Sequence, residues 1–325
     1  MRKNLYFILL AIFAATFMTS CGGDENGATK EVLSEKTYAK VITSYDFVSD
    51  YFHEGTCVVR NNGKRGVIDM KGNEIIPCEH SHLSACSDGM FLYGATAEDG
   101  WSTVYGFLDK KGNVVVKAEY NDAEDYSDGL ALVKKRDENY NYHYAFLNKK
   151  GEIAIAFDSY ERMEPFSNGL AAVSIEKDKK SLWGYINTKG EIVIAPTYGH
   201  AYSFSDNVAV VGKGNNEFVI DTKGEVVFVP EKDMSFIEEE FSEGLMPVAK
   251  GKELSVKCGY VNTKGEVVIP FEYDIAEGFI DGTATAIKDK SLMVVLNPKG
   301  EIIEQETIDP EDLEEELEDF LDIFF

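Results

Sequence analysis

The sequence predicts an all-β fold built from about seven copies of one hairpin-based unit. Three observations predict it. A lysine–glycine phrase recurs seven times, a second phrase of aromatic, polar turn and apolar run alternates with it, and β-branched residues flank both. Copies at a nearly fixed period of this size mark a repeat architecture.

The first phrase reads DMKGNEII, DKKGNVVV, NKKGEIAI, NTKGEIVI, DTKGEVVF, NTKGEVVI and NPKGEIIE. Its glycines are Gly72, Gly112, Gly151, Gly190, Gly224, Gly265 and Gly300, spaced by 40, 39, 39, 34, 41 and 35 residues. Asp or Asn opens a type I turn because its side chain bonds the backbone ahead. Gly three positions on takes the left-handed conformation and completes a three-residue hairpin loop with a bulge. Pro298 fits the second turn position. The flanking runs are continuously apolar, as in strands covered on both faces.

The second phrase reads YFHEGTCVV, ACSDGMFLY, YSDGLALV, FSNGLAAV, FSDNVAVV, FSEGLMPV and FIDGTATA. Asn207 fills its glycine slot once, and Asn is well tolerated in the left-handed region. Tyr120, Tyr160, Tyr198 and Tyr273 each stand nine residues before that slot. Each unit therefore offers three strands, or four if the stretch from Tyr to the aromatic is extended.

The repeat region opens on the second phrase alone, Phe52 to Arg60, and closes on the hairpin alone, Met293 to Ile303. Six whole units lie between, and the two halves would make a seventh. A closed seven-bladed β-propeller joins such halves and leaves only short protected edges. That fold would pair Thr56–Arg60 with Leu292–Leu296. The alternative is an open β-solenoid-like stack, which would need polar caps.

The order aromatic–Gly, hydrophobic, Asp/Asn-x-Lys-Gly, apolar run, Tyr, then Phe-Ser-Asp/Glu-Gly-Leu resembles the bacterial WG-repeat family over roughly residues 45–303. Trp183-Gly184-Tyr185-Ile186-Asn187-Thr188-Lys189-Gly190 is the fullest copy. Arg65, Tyr105 and Cys258 replace the Trp before Gly66, Gly106 and Gly259, while Ala145, Phe218 and Val294 replace the glycine itself. The resemblance implies a repeat-built interaction protein and no reaction.

The chain begins with Arg2 and Lys3, an apolar run, and Thr19-Ser20-Cys21. This reads as a secretory signal over residues 1–20, too short for a comfortable membrane span of about 20 residues. The placement of Cys21 resembles a lipoprotein signal, with Cys21 lipidated and residues 21–44 as a polar tether. An outer-membrane lipoprotein facing the periplasm or the cell surface is expected. The formal net charge of −25 repels nucleic acid and anionic lipid. Hydrophobic residues at 44% and aromatics at 12% argue against disorder.

Cys57, Cys78, Cys86 and Cys258 show no dense disulfide spacing and read as buried thiols, with a Cys78–Cys86 bridge as the other option. Cys78, His80 and His82 alternate as the nucleus of a weak metal candidate, but three ligands in one unit are too few and His80 occupies a Tyr position. No metal or cofactor is expected. Residues 304–325 read as an acidic C-terminal stretch, with Asp309 capping an amphipathic helix whose stripe is Leu313, Leu317, Phe320, Leu321 and Phe324.

No Ser-His-Asp arrangement, phosphate loop or calcium loop appears. Tyr140, Tyr142 and Tyr144, on one face if the segment is a strand, form with Trp183 the candidate binding surface for a protein, peptide or glycan. The runner-up is a hydrolase or lyase using carboxylates and Tyr in a central funnel.

Overall fold

A computed structural model of the chain describes residues 37, 41–49, 52–156, 160–252 and 255–308. The described residues form seven four-stranded antiparallel sheets, each a simple meander in chain order. One compact unit ends at Cys86 and the other begins at Ser87. The fourth sheet shows the plan: Arg162–Met163, Leu170–Lys177, Lys180–Asn187 and Ile192–Tyr198. The first strand is short because one residue after the Tyr the chain pairs for only two positions before bending into the tight turn.

The seventh unit is not assembled from two halves. Thr56–Asn61 pairs with Phe47–Val48 and Lys64–Asp69, while Leu292–Leu296 pairs with Ala284–Lys288 and Ile302–Thr307. The expected pairing of Thr56–Arg60 with Leu292–Leu296 is therefore not made. Every phrase pair completes its own sheet, because the short first strand belongs with the second phrase that follows it. The last strand, Ile302–Thr307, runs past the expected boundary at residue 303. The signal segment, Cys21 and the helix expected from Asp309 lie outside the described residues.

All seven lysine–glycine turns have one geometry. The glycine N–H donates to the Asp or Asn carbonyl three residues back at 2.8–2.9 Å, and the Asp or Asn N–H closes the loop at 2.9–3.0 Å. Each glycine has φ between 73° and 81°. The first and last turn residues are matched as donor and acceptor. Where the turn begins with Asn, Glu ends it and accepts from the Asn amide, as in Asn187–Glu191 at 2.8 Å. Where it begins with Asp, Asn ends it and donates, as in Asp69–Asn73 at 2.9 Å. Asp221 with Glu225 departs from the rule by placing two acids together.

The glycine after the Trp position has a structural cause as well. A Cβ on Gly184 would lie 2.4 Å from the Ile194 carbonyl oxygen, and on Gly106 2.4 Å from that of Val116. At these points the fourth strand bulges against the third, shifting register between Trp183 and Tyr185 and between Tyr105 and Phe107. Sheets that keep the glycine have a seven-residue fourth strand. Sheets with Ala145 or Phe218 there have three-residue fourth strands, and the sheet with Val294 pairs evenly through it. The glycine is needed only where the backbones close up around a bulge.

Within the unit beginning at Ser87, successive sheets are joined in two ways. Aromatic residues of one third strand meet the aromatic of the next second phrase edge to face: Phe107 with Tyr126, Phe146 with Phe166, Tyr185 with Phe204, Tyr260 with Phe279, at 4.6–5.1 Å. Such pairs add roughly 0.5–1.5 kcal/mol beyond burial. The tight turns are also bonded in series. Asp88 accepts from Gly129 N–H, Asp128 from Gly169, Asn168 from Asn207, Asp206 from Gly244 and Glu243 from Gly282, at 2.6–2.9 Å. Each acceptor residue itself has φ of 52–54°, so the turn aims its side chain forward at the next sheet.

The unit ending at Cys86 packs Cys57, Val59 and Ile68 against Val41. Its turn glycine, Gly72, faces Val41 and Thr37, whereas Gly190, Gly224 and Gly300 face an Ile of the preceding sheet's fourth strand. All four described cysteines are free, so the Cys78–Cys86 bridge is not formed. Burial pushes the Cys258 thiol up to about 12, which makes it an inert core group.

Candidate functional site

The constant turns occupy one end of each sheet. The connections between second and third strands occupy the other, and these differ in every copy. In the second sheet this tip runs from Thr96 to Thr103. Asp99 accepts from the N–H groups of Trp101 and Ser102 and from the Ser102 hydroxyl at 2.5–2.8 Å, and these bonds hold its carboxyl below the usual range. The turn so braced presents Trp101, which is 93% exposed.

The third sheet's tip is a disguised copy of the constant turn. Tyr140 N–H donates to the Asp137 carbonyl and Asp137 N–H to the Asn141 carbonyl, at 3.1 and 3.0 Å. The Asn141 amide donates to Asp137 as Asn73 does to Asp69. Hydrogen bonds, those from Asn141 foremost, hold Asp137 down to about 2. The glycine position is filled by Tyr140, with φ 66° and 76% exposure. Tyr140 is the only aromatic among the described residues at positive φ, a conformation that costs a non-glycine residue roughly 1–2 kcal/mol.

Arg136 lies beneath this ring. Its guanidinium carbon is 5.6 Å from the Tyr140 ring centroid and 4.7 Å from that of Tyr142, and it donates to the Tyr142 hydroxyl. Its neighbours have carboxylate partners, Lys134 with Asp122 at 2.7 Å and Lys135 with Glu119 at 3.7 Å. Among the described residues no carboxylate pairs with Arg136, and Asp137 is occupied by its own turn.

Of the four surface residues expected, only Tyr140 and Tyr142 stand out from the body. Tyr140 is in the turn, not on a strand face shared with the others. Tyr144 opposes Lys134 and packs partly on the core between the third and fourth sheets. Trp183 opposes Ser174 and packs partly on the core between the fourth and fifth. Trp101 was not among the expected residues.

A second constellation lies in the segments between first strand and tight turn. Glu124, Glu164 and Glu240 are pushed above the usual carboxylate range, burial being the main cause for each. Neighbouring acids add to it, Glu164 acting on Glu124, and Glu239 on both Glu164 and Glu240. Glu240 also accepts hydrogen bonds from Ser203, and Glu238 accepts from Gly278 N–H at 2.8 Å.

Cys78 and His80 end the fourth strand of the first sheet, and His82 begins the next strand after a bend at Ser81. Burial holds His80 below its ordinary range, favouring the neutral ring. Among the described residues no group of three His, Cys, Asp or Glu has metal-binding geometry.

Four stretches, residues 105–140, 144–179, 183–216 and 259–290, match the family described as WG containing repeat. Together they span less than half of the chain. No curated protein matches it in sequence. Among solved structures, a eukaryotic initiation factor aligns at 11% identity and TM-score 0.48, over 79% of this chain and 74% of its own. The β-propeller domain of the Trilobed protease from Pyrococcus furiosus aligns at 13% identity and TM-score 0.44, over 81% and 98%. BamB from Moraxella catarrhalis aligns at 13% and 0.43, over 80% and 87%.

Proposed function

We propose that the chain is an exported repeat scaffold, lipid-anchored through Cys21 at the cell envelope, that binds a protein, peptide or glycan partner. The same reading takes the seven sheets as propeller blades facing the periplasm or the cell surface. Seven equal sheets and forward-pointing turn-to-turn bonds support that arrangement. Mass spectrometry of residue 21 tests the anchor: a thioether-linked lipid is expected, and an unmodified thiol rejects it.

One observation carries the binding reading. The repeated phrases are used up by turns, bulges and sheet-to-sheet joints, while three of the four exposed aromatics among the described residues, all but Phe47, stand on two braced hairpin tips that differ between copies. Rigid aromatic side chains offer large contact area at little entropy cost. The test immobilises the full-length chain in detergent and offers it a glycan array and native envelope proteins. A retained partner is expected, with Trp101→Ala weakening retention about fivefold, the equivalent of about 1 kcal/mol of stacking. Empty retention, or retention indifferent to both tips, rejects the reading.

A second reading is a hydrolase or lyase working through carboxylates such as Glu124 and Glu164 and Tyr in a central funnel. Glu124 and Glu164, both raised above the usual carboxylate range chiefly by desolvation, favour it. Product release from the same panel, abolished in Glu164→Gln, would establish it. A panel without product removes it.

A further inference from the structure

We infer that the third sheet's tip reads a carboxylate on a glycan, through Arg136 held between Tyr140 and Tyr142. This rests on the binding reading above and adds the ligand's chemistry.

The argument begins with Tyr140. Seven turns of the same hydrogen-bond pattern place glycine at the left-handed position, and this one places a bulky, exposed aromatic there at φ 66°. Nothing in the packing compensates, since the ring is 76% exposed. Strain kept at an exposed side chain points to a use outside the fold. Its partner gives the chemistry. In a chain of net charge −25, Arg136 has no carboxylate among the described residues, though Lys134 and Lys135 beside it both do. A guanidinium held near two rings, with one nitrogen donating to the Tyr142 hydroxyl, keeps its remaining N–H groups for a carboxylate.

The tip is a hairpin turn whose rings are 76% and 44% exposed, a poor setting for desolvating a side-chain anchor as a protein hot spot does. The C–H faces of a sugar ring stack on exposed Tyr without a pocket. A polyanion would lie along the acidic body and be repelled. A mostly neutral glycan with one carboxylate meets only the tip, where Arg136 stands against the turn's own Asp137 and Glu138, because at about 0.15 M salt charges beyond about 8 Å are screened. Trp101, on the same connection of the preceding sheet, offers a further stacking face.

The experiment is calorimetric titration of the full-length chain in detergent. The probes are a xylo-oligosaccharide with one glucuronate branch, the same oligosaccharide without it, and a peptide with a free C-terminal carboxylate. The branched sugar is expected to bind about tenfold tighter than the neutral one. Arg136→Gln should erase that preference, the two sugars then binding equally. Tyr140→Gly should weaken both sugars while raising the melting temperature by about 2–4 °C, since it relieves strain. Equal affinity for the two sugars, or a preference that survives Arg136→Gln, overturns the inference but leaves the scaffold reading intact. So does binding of the peptide alone. Failure of all three probes, together with empty retention on the array and from the envelope, removes both.

Discussion

The turns Asn187–Glu191 and Asp137–Asn141 share their backbone bonds and their amide–carboxylate brace. One carries Gly190 over the preceding sheet's Ile155, and the other holds Tyr140 in solvent. The difference teaches where selection by folding ends in this molecule. At the constant end every unusual residue answers to a neighbour within hydrogen-bond or van der Waals reach. At the variable end the same frame is kept and the fold's own preference, glycine, is overridden.

The strongest way to break the comparison is at the constant positions. Gly184→Ala places a Cβ against the Ile194 carbonyl and is expected to cost about 3 kcal/mol in urea unfolding. Ala145→Gly, which installs the glycine of four other sheets beside a fourth strand of only three residues, should cost about 1 kcal/mol from added chain freedom. If both substitutions prove neutral, the bulge does not explain the glycine.

Proton binding gives the next contrast. Glu124, Glu164 and Glu240 are raised in the folded chain, so their contribution is fully present below the ordinary glutamate value of 4.5 and is lost as pH rises through the raised folded values. The turn residues Asp69 and Asp109 are lowered, so theirs is present above 3.8 and is lost as pH falls through the lowered values. Urea midpoints should therefore rise from about pH 8 to about pH 5 and fall below about pH 4. A midpoint that falls steadily from pH 8 to pH 5 rules out raised values for Glu124, Glu164 and Glu240.

The smallest effect sharpens the turn rule. Asp221→Asn gives Glu225 the donor that every other Glu-ended turn supplies, for a gain of about 0.5 kcal/mol. A loss there would mean that the donor–acceptor matching is incidental.

Much of this was legible in the residues. The period, the turn type and the left-handed glycines followed from Asp/Asn-x-Lys-Gly alone, and the seven sheets follow that count. Unit boundaries were not, because a two-residue strand such as Asp122–Ala123 has no alternation to read. The joints were hidden too, since Asp88 and Gly129 stand 41 positions apart and neither is unusual by itself. The site was half visible. Tyr140 was read with Tyr142 and Tyr144 as strand alternation, yet DENYN is DKKGN with Tyr in the glycine place. Trp101 lay in the loop EDGWS, which carries no repeat signal.

The forward bond from each tight turn to the next also bears on how such a chain grows. The third to sixth sheets each carry one acceptor for the successor and one donor for the predecessor, so a duplicated unit arrives with plug and socket already cut. Copy number can then drift by gene duplication without redesigning any joint, and only the terminal units need bespoke residues. Gly72 resting on Val41 and Thr37, where other turn glycines rest on a neighbouring sheet's Ile, is what such a custom end looks like.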